Sequence, residues 1–199
     1  KPLRWYNQMI DCGCLDRSWK EIFFCMVPKG GELNQPTNWR PIAILSVFYK
    51  LFSRMVYTRL RERLEKQQGS DQTGFRTGIR LEDALAIVET LVTRTREWNL
   101  PLFIASLDLK KAFDRVEHGA LYQALRDQGV DEPYVALLLD LYEDQSASAN
   151  GSRTFPIRRG VRQGDVLSSL LFNAILETVF RRWKTKLSEH GWLIQPDHP

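Results

Sequence analysis

Apolar residues change their spacing from one segment of the chain to the next, and the spacing predicts the elements. Trp19–Val27 (WKEIFFCMV) is rich in aromatic and apolar residues and predicts a strand ended by Pro28. Lys29–Asn38, with Gly30, Gly31 and Pro36, has the composition of a loop, and Arg40–Leu45 predicts a second strand, so that the pair forms a β-hairpin finger. Ser46 is a suitable N-cap for a helix to about Gln67, whose Phe48, Leu51, Phe52, Met55, Val56, Leu60 and Leu64 recur every three or four residues. After a loop at Gly69–Gly78, Leu81, Ala84, Leu85, Val88, Leu91 and Val92 predict a second amphipathic helix ending near Trp98. Leu102–Leu107 is a continuous apolar run, expected to be a buried central strand. Helices are expected at about Gly119–Gln128 and Glu132–Asp144, with Pro133 in the first turn of the second. Asn150-Gly151 predicts a type I′ turn between strands at Ser146–Ala149 and Arg153–Ile157. Asp165 opens a last helix to about Lys186, and Pro2–Asp11 predicts a short first one.

Strands interleaved with helices in this order imply an α+β fold, with helices packed on one face of a mainly antiparallel sheet. A length of 199 residues suffices for one domain or two small subdomains. With 43% hydrophobic and 26% charged residues, the composition is that of an ordinary globular protein. The net charge of +4 favours a polyanionic partner only weakly. Arginines concentrated at Phe75–Arg80 and Arg153–Arg162 say more, because phosphate contacts need local positive potential. Cys12, Cys14 and Cys25 fit no common zinc spacing and read as free thiols in a reducing compartment. No stretch approaches the ~20 apolar residues of a membrane span. The chain begins at Lys1 rather than Met, and the expectation is an internal piece of a longer intracellular polypeptide.

Candidate chemistry lies in a few short segments. Ile104–Val116 (IASLDLKKAFDRV) delivers Asp108 from an apolar run into a turn, with Phe113 five residues on. A carboxylate at the end of a buried strand is costly unless it is satisfied or holds a metal; the plainer alternative is an aspartate capping the turn at Leu109. Phe113 has the alternative of simple core packing beside Ala112, and Asp114 reads as a turn residue. Arg158–Leu176 (RRGVRQGDVLSSLLFNAIL) is a loop with Gly160, Gln163 and Gly164 feeding an amphipathic helix. Its glycines let backbone come close to a ligand. Lys29 in VPKGG and Arg40 in NWRPI are either solvated surface or a phosphate clamp. Lys50, Arg54, Arg59, Arg61 and Arg63 read mostly as the solvated face of a helix, His118 as a helix cap, and Phe23, Phe24 and Trp183 as core.

Taken in order from about Trp19 to Leu187, these segments resemble the reverse transcriptases of non-LTR (LINE-type) retrotransposons. Ile104–Val116 resembles motif A, Arg158–Leu176 resembles motif B with its G-x-x-Q-G, and Asp71–Arg76 (DQTGFR) resembles motif 2, Q-x-G-F-R. The resemblance implies a right-hand polymerase in which 1–18 is an extension, 19–98 the fingers and 99–199 a partial palm. It implies an RNA template, a DNA primer, dNTPs and two Mg²⁺ ions, with Asp108 as the catalytic metal ligand and the Leu109 carbonyl beside it. Lys111 and Ala112 amides would face the triphosphate, which Lys29 and Arg40 would clamp. Phe113 would lie under the sugar and exclude a 2′-hydroxyl, while Gln163 and Gly164 brace the nucleotide. Gln72, Gly74, Arg76 and Gly160 would line the template path. Val166 and Ser169 stand where the family often has proline, and no Tyr-x-Asp-Asp occurs before Pro199. The expectation is therefore a domain fragment, in nucleus or cytoplasm and with no membrane partner, that is inactive by itself. Two alternatives stand beside it: a catalytically dead remnant that only binds nucleic acid, and an RNA-dependent RNA polymerase with Asp108 and Asp114 as paired acids. Phe113 and Gln163-Gly164 speak against the second. Oligomeric state is not legible.

Overall fold

The computed structural model describes residues 2–149 and 153–187. The helices are α1 (Pro2–Cys12), α2 (Val47–Gln67), α3 (Leu81–Glu97), α4 (His118–Asp127), α5 (Glu132–Tyr142) and α6 (Val166–Leu187). The strands are β1 (Glu21–Pro28), β2 (Trp39–Ile44), β3 (Gln145–Ala149) and β4 (Phe155–Ile157). Ser46 caps α2 as its position predicts, its hydroxyl accepting from Tyr49 N at 3.1 Å.

The four strands form one sheet in the order β2-β1-β3-β4. β1 and β2 are the expected antiparallel hairpin, with Cys25 opposite Ile42, and β3 and β4 are also antiparallel. β1 and β3 run parallel, with Ile22 opposite Ala147, a pairing that needs a long crossover. The chain between them, α2 through α5, supplies it. The fold is the expected α+β arrangement, and the Asn150-Gly151 turn lies outside the described residues.

One core joins every described helix except α3. Phe52, Val56, Leu60 and Leu64 of α2 meet Leu121 and Leu125 of α4, Leu137, Leu138 and Leu141 of α5, and Leu167 and Leu171 of α6. The first helix belongs to this core through Tyr6, Met9 and Ile10. Trp19 ties it to the body, with ring centroids 5.5 Å from Tyr49 and 5.2 Å from Phe52.

The structure corrects the sequence in the middle of the chain. Leu102–Leu107 is not a strand: residues 101–109 have no regular structure and are exposed, Phe103 by 94%. An apolar run becomes a buried strand only where neighbours pair its edges and cover its faces, and among the described residues none does. The helix α3 forms, started by Asp83 accepting from Arg80 N at 3.4 Å, yet it buries only Thr95. Capping and periodicity make a helix without giving it anything to pack on. On α2, Phe48 and Leu51 face outward because the apolar stripe is wider than the face its neighbours cover. Phe23 is exposed because it points to the side of the sheet opposite Ile22, and Trp183 is exposed near the end of α6. No described helix is long and apolar enough to cross a membrane.

Candidate nucleotide and template site

Two loops meet at the middle of the molecule. Lys111 takes φ 55° and starts a tight turn in which Asp114 N donates to Lys111 O (3.1 Å) and Arg115 N to Ala112 O (3.3 Å). The 160–164 loop lies along this turn. Gly160 N donates to Val116 O at 2.7 Å and Val161 N to Phe113 O at 2.8 Å. A Cβ on Gly160, which has φ 97°, would stand 3.1 Å from Asp114 Cα and from the Asp114 and Phe113 carbonyl oxygens. That closeness is the physical reason for a glycine there. The His118 ring, which opens α4, sits 2.9 Å from Gly160 O.

The other side of the 160–164 loop rests on the finger hairpin. Ala43 N of β2 donates to Gln163 O at 2.8 Å, and a Cβ on Gly164 (φ 103°) would lie 3.3 Å from Ala43 O. The Gln163 amide Nε2 donates to Asp114 Oδ1 at 2.8 Å. A cavity of about 190 Å³ opens beside this bond, lined by Asp114, Gly160 and Gln163 together with Ile22, Phe24 and Ile157.

Below the loop is a buried polar group that sequence reasoning missed. Tyr49 and Ser53 of α2 both donate to the carboxylate of Asp165, which also caps α6 by accepting from Leu167 N at 3.2 Å. The Arg162 guanidinium lies 5.0 Å from the Tyr49 ring centroid and 5.9 Å from that of Tyr142, and donates to Leu141 O at 3.2 Å. Burial pushes the Tyr49 hydroxyl well above the ordinary tyrosine value, and the neighbouring Asp165 carboxylate adds to the rise. One signal in the sequence pointed here: Ser53 is a polar residue inside the otherwise apolar stripe of α2.

Phe113 is held on two sides. Its ring stacks on Phe172 of α6 at 5.0 Å and 23°, and the edge-on ring of Phe75 is 6.0 Å away. Phe75, at φ 57°, belongs to the Gly69–Gly78 loop, which is lashed to α6. Asn173 Nδ2 donates to Gly74 O (2.8 Å), Gln72 Nε2 to Asn173 Oδ1 (3.2 Å) and Gly69 N to Glu177 Oε2 (3.0 Å). Arg76 donates to Gly69 O at 2.7 Å and Gln72 O at 3.0 Å, so its guanidinium closes the loop on itself.

The structure thus gathers Phe113, Gly160, Gln163 and Gly164, with Gln72 and Gly74 on the far side of the Phe113 ring stack. Others stand apart. Arg40 is exposed three strand positions from Ala43, roughly 10 Å along β2. Lys29 Nζ donates to Thr37 O at 3.2 Å within the hairpin loop. Asp108 and Leu109 are exposed, and Asp108 has no hydrogen-bond or ion-pair partner among the described residues. The sequence expected that carboxylate at the end of a buried strand, and the missing strand leaves it in the open. Among the described residues no three of His, Cys, Asp and Glu gather to hold a metal ion. The two groups expected at the metal, the Asp108 carboxylate and the Leu109 carbonyl, fall short of the near-octahedral shell that Mg²⁺ takes.

A family model described as "Reverse transcriptase (RNA-dependent DNA polymerase)" matches residues 27–194. The chain is 34% identical over 173 residues to the "Retrovirus-related Pol polyprotein from type-1 retrotransposable element R2" of Popillia japonica, covering 83% of this chain and 24% of that protein. To the "Retrovirus-related Pol polyprotein from type-2 retrotransposable element R2DM" of Drosophila melanogaster it is 31% identical over 183 residues, 90% of this chain and 17% of the relative. To the "Transposon TX1 uncharacterized 149 kDa protein" of Xenopus laevis it is 32% identical over 169 residues, 83% and 13% of the two lengths. The chain therefore spans a quarter or less of the length of these curated relatives.

Proposed function

The chain belongs to the reverse transcriptase family, and from that premise we propose that it is the fingers and part of the palm of a non-LTR retroelement's RNA-directed DNA polymerase. Residues 19–98 form the fingers-like part and 99–199 the partial palm, preceded by the 1–18 extension. The substrates are an RNA template, a DNA primer and dNTPs, in the nucleus or cytoplasm.

One observation carries this reading. The 113–116 turn, the 160–164 loop and strand β2 are joined by short backbone hydrogen bonds, so that Phe113 and Gln163 are held on one connected unit from distant parts of the sequence. Phe113, backed by Phe172, is a rigid wall that leaves no room for a 2′-hydroxyl, and the Gln163 amide braces the nucleotide. Lys111 at φ 55° followed by Ala112 at φ −48° alternates left- and right-handed residues, a pattern that turns successive N–H groups to one side, toward a triphosphate. Lys29 and Arg40 supply countercharge to the same phosphates, while Gln72, Gly74, Arg76 and Gly160 line the template path. Asp108 and the Leu109 carbonyl are this chain's share of the ligands for two Mg²⁺ ions. They are too few to hold either ion alone, so residues 1–199 by themselves extend no primer.

The test places this chain in the R2 Pol polyprotein of Popillia japonica, in exchange for its matching segment. RNA-templated dNTP incorporation by the chimaera, reduced roughly a thousandfold by Asp108→Ala, is the expected result. Incorporation indifferent to Asp108→Ala overturns it. A second reading, a remnant that only binds nucleic acid, is favoured by the absence of a gathered acidic cluster among the described residues. It predicts an inactive chimaera and salt-sensitive RNA binding by the chain.

A further inference from the structure

Asp114 looks like an ordinary turn residue in the sequence, but the fold aims its carboxylate at the 160–164 loop. Its Oδ1 accepts from Gln163 Nε2 at 2.8 Å. A carboxylate only accepts, so the amide must turn its NH₂ group toward Asp114, and one of its two possible orientations is excluded. The carbonyl Oε1 and the second N–H are then left for a ligand. The backbone of Gln163 is pinned independently, its carbonyl accepting from Ala43 N at 2.8 Å. The loop and turn are also held in contact by Gly160, whose Cα side comes within 3.1 Å of the Asp114 backbone where a Cβ would stand. Both ends of the Gln163 side chain are therefore fixed, although a free glutamine loses considerable rotamer entropy whenever it is ordered.

We propose that Asp114 is a positioning residue for Gln163, holding the amide in a single orientation before the nucleotide arrives. The exposed face of the amide is then left to meet the sugar side of the nucleotide. The inference rests on Gln163 meeting the nucleotide, as set out above. It gives Asp114 a role, through Oδ1 and the Gln163 amide, that is distinct from that of a second metal-binding acid beside Asp108.

Two measurements test it. In the chimaera, Asp114→Ala raises the KM for dNTP about tenfold with kcat within about threefold, the scale of a lost hydrogen bond to a charged group. Asp114→Asn, which still offers an acceptor oxygen, recovers most of the loss. In a Gln163→Ala background Asp114→Ala adds less than about twofold, because its route of action is gone. An equal loss with and without Gln163 overturns the proposal and leaves Asp114 as a strut of the turn. In the full chain of 199 residues, Asp114→Ala shifts the Gln163 side-chain NH₂ signals in NMR and speeds their hydrogen exchange, and Asp114→Asn restores them. Unchanged amide signals overturn the proposal even where the chimaera is inactive. If Gln163→Ala leaves the KM unchanged while the amide signals respond to Asp114→Ala, the nucleotide reading fails and the positioning contact stands.

Discussion

Two segments of this chain carry the same Leu-Asp-Leu in nearly the same apolar setting and end up in opposite environments. In α5, Val135–Tyr142 reads VALLLDLY; Leu102–Leu109 reads LFIASLDL. Val135, Leu137 and Leu138 are at most 1% exposed, whereas Phe103, Ile104 and Leu107 are 94%, 65% and 80% exposed. Asp140 accepts from Leu15 N at 2.8 Å and from Lys20 Nζ at 2.7 Å, so it is a structural acid that docks the N-terminal segment onto α5. Asp108 has no such partner among the described residues. Composition cannot separate the two, because burial depends on what the rest of the chain lays against a segment. A structural carboxylate is recognised by the donors folded around it, and a carboxylate without donors is available for chemistry.

The largest effect that sharpens this contrast is a paired truncation. Leu138→Ala lowers unfolding stability by about 2–5 kcal/mol, because a core cavity remains. Phe103→Ala changes it by no more than about 0.5 kcal/mol in the same urea titration. A large loss at Phe103 would mean that residues 101–109 are packed in solution and would break the comparison.

The two aspartates are next. Asp140→Ala costs about 1–3 kcal/mol, by stranding Leu15 N and the Lys20 ammonium. Asp108→Ala leaves the unfolding midpoint in place while removing polymerisation by the chimaera.

A third test concerns the packed side alone. Tyr49→Phe removes the hydroxyl bound to Asp165 and costs about 1–2 kcal/mol at neutral pH. Burial raises the folded-state value of Tyr49 above its unfolded value. Its contribution is therefore complete below about pH 10 and is lost as pH rises further, since the unfolded chain releases a proton that the folded chain keeps. Alkaline unfolding of Tyr49→Phe should lack that component, and an unchanged alkaline limb would show the tyrosine is not buried.

The smallest effect is at the loop held to α6. The hydrogen bond from Lys184 draws the Asp71 carboxyl below its usual value. The stabilisation is present above about pH 4 and is lost as pH falls through the depressed folded value. Both side chains are more than a third exposed, so Lys184→Met costs at most about 0.5 kcal/mol. That small difference from the native chain should vanish in acid unfolding below pH 4.

Much of the fold was legible because its signals are local. Ser46 marks the start of α2, the two runs around Gly30-Gly31 make the hairpin, and periodic apolar residues give α2, α4, α5 and α6 within a residue or two. The candidate site was legible as segments: Phe113, Gly160, Gln163 and Gly164 were singled out and are together in space. The parts that were not legible depend on pairing over long distances. The parallel contact of β1 with β3, the Tyr49–Asp165–Ser53 group and the Asp114–Gln163 bond link residues 49 to 125 positions apart, and no periodicity encodes such a link.

The sequence by itself determined most of the elements and singled out the residues proposed to meet a nucleotide, since caps, turns, periodicity and short motifs act over neighbours a few positions away. The tertiary structure decided which apolar surface is covered, leaving α3 and residues 101–109 outside and α5 inside. It also decided which polar groups are committed to partners. The physical reason is the same in both cases: desolvation and hydrogen bonding are settled by the atoms that reach a group through space, and chain order constrains those only over short distances.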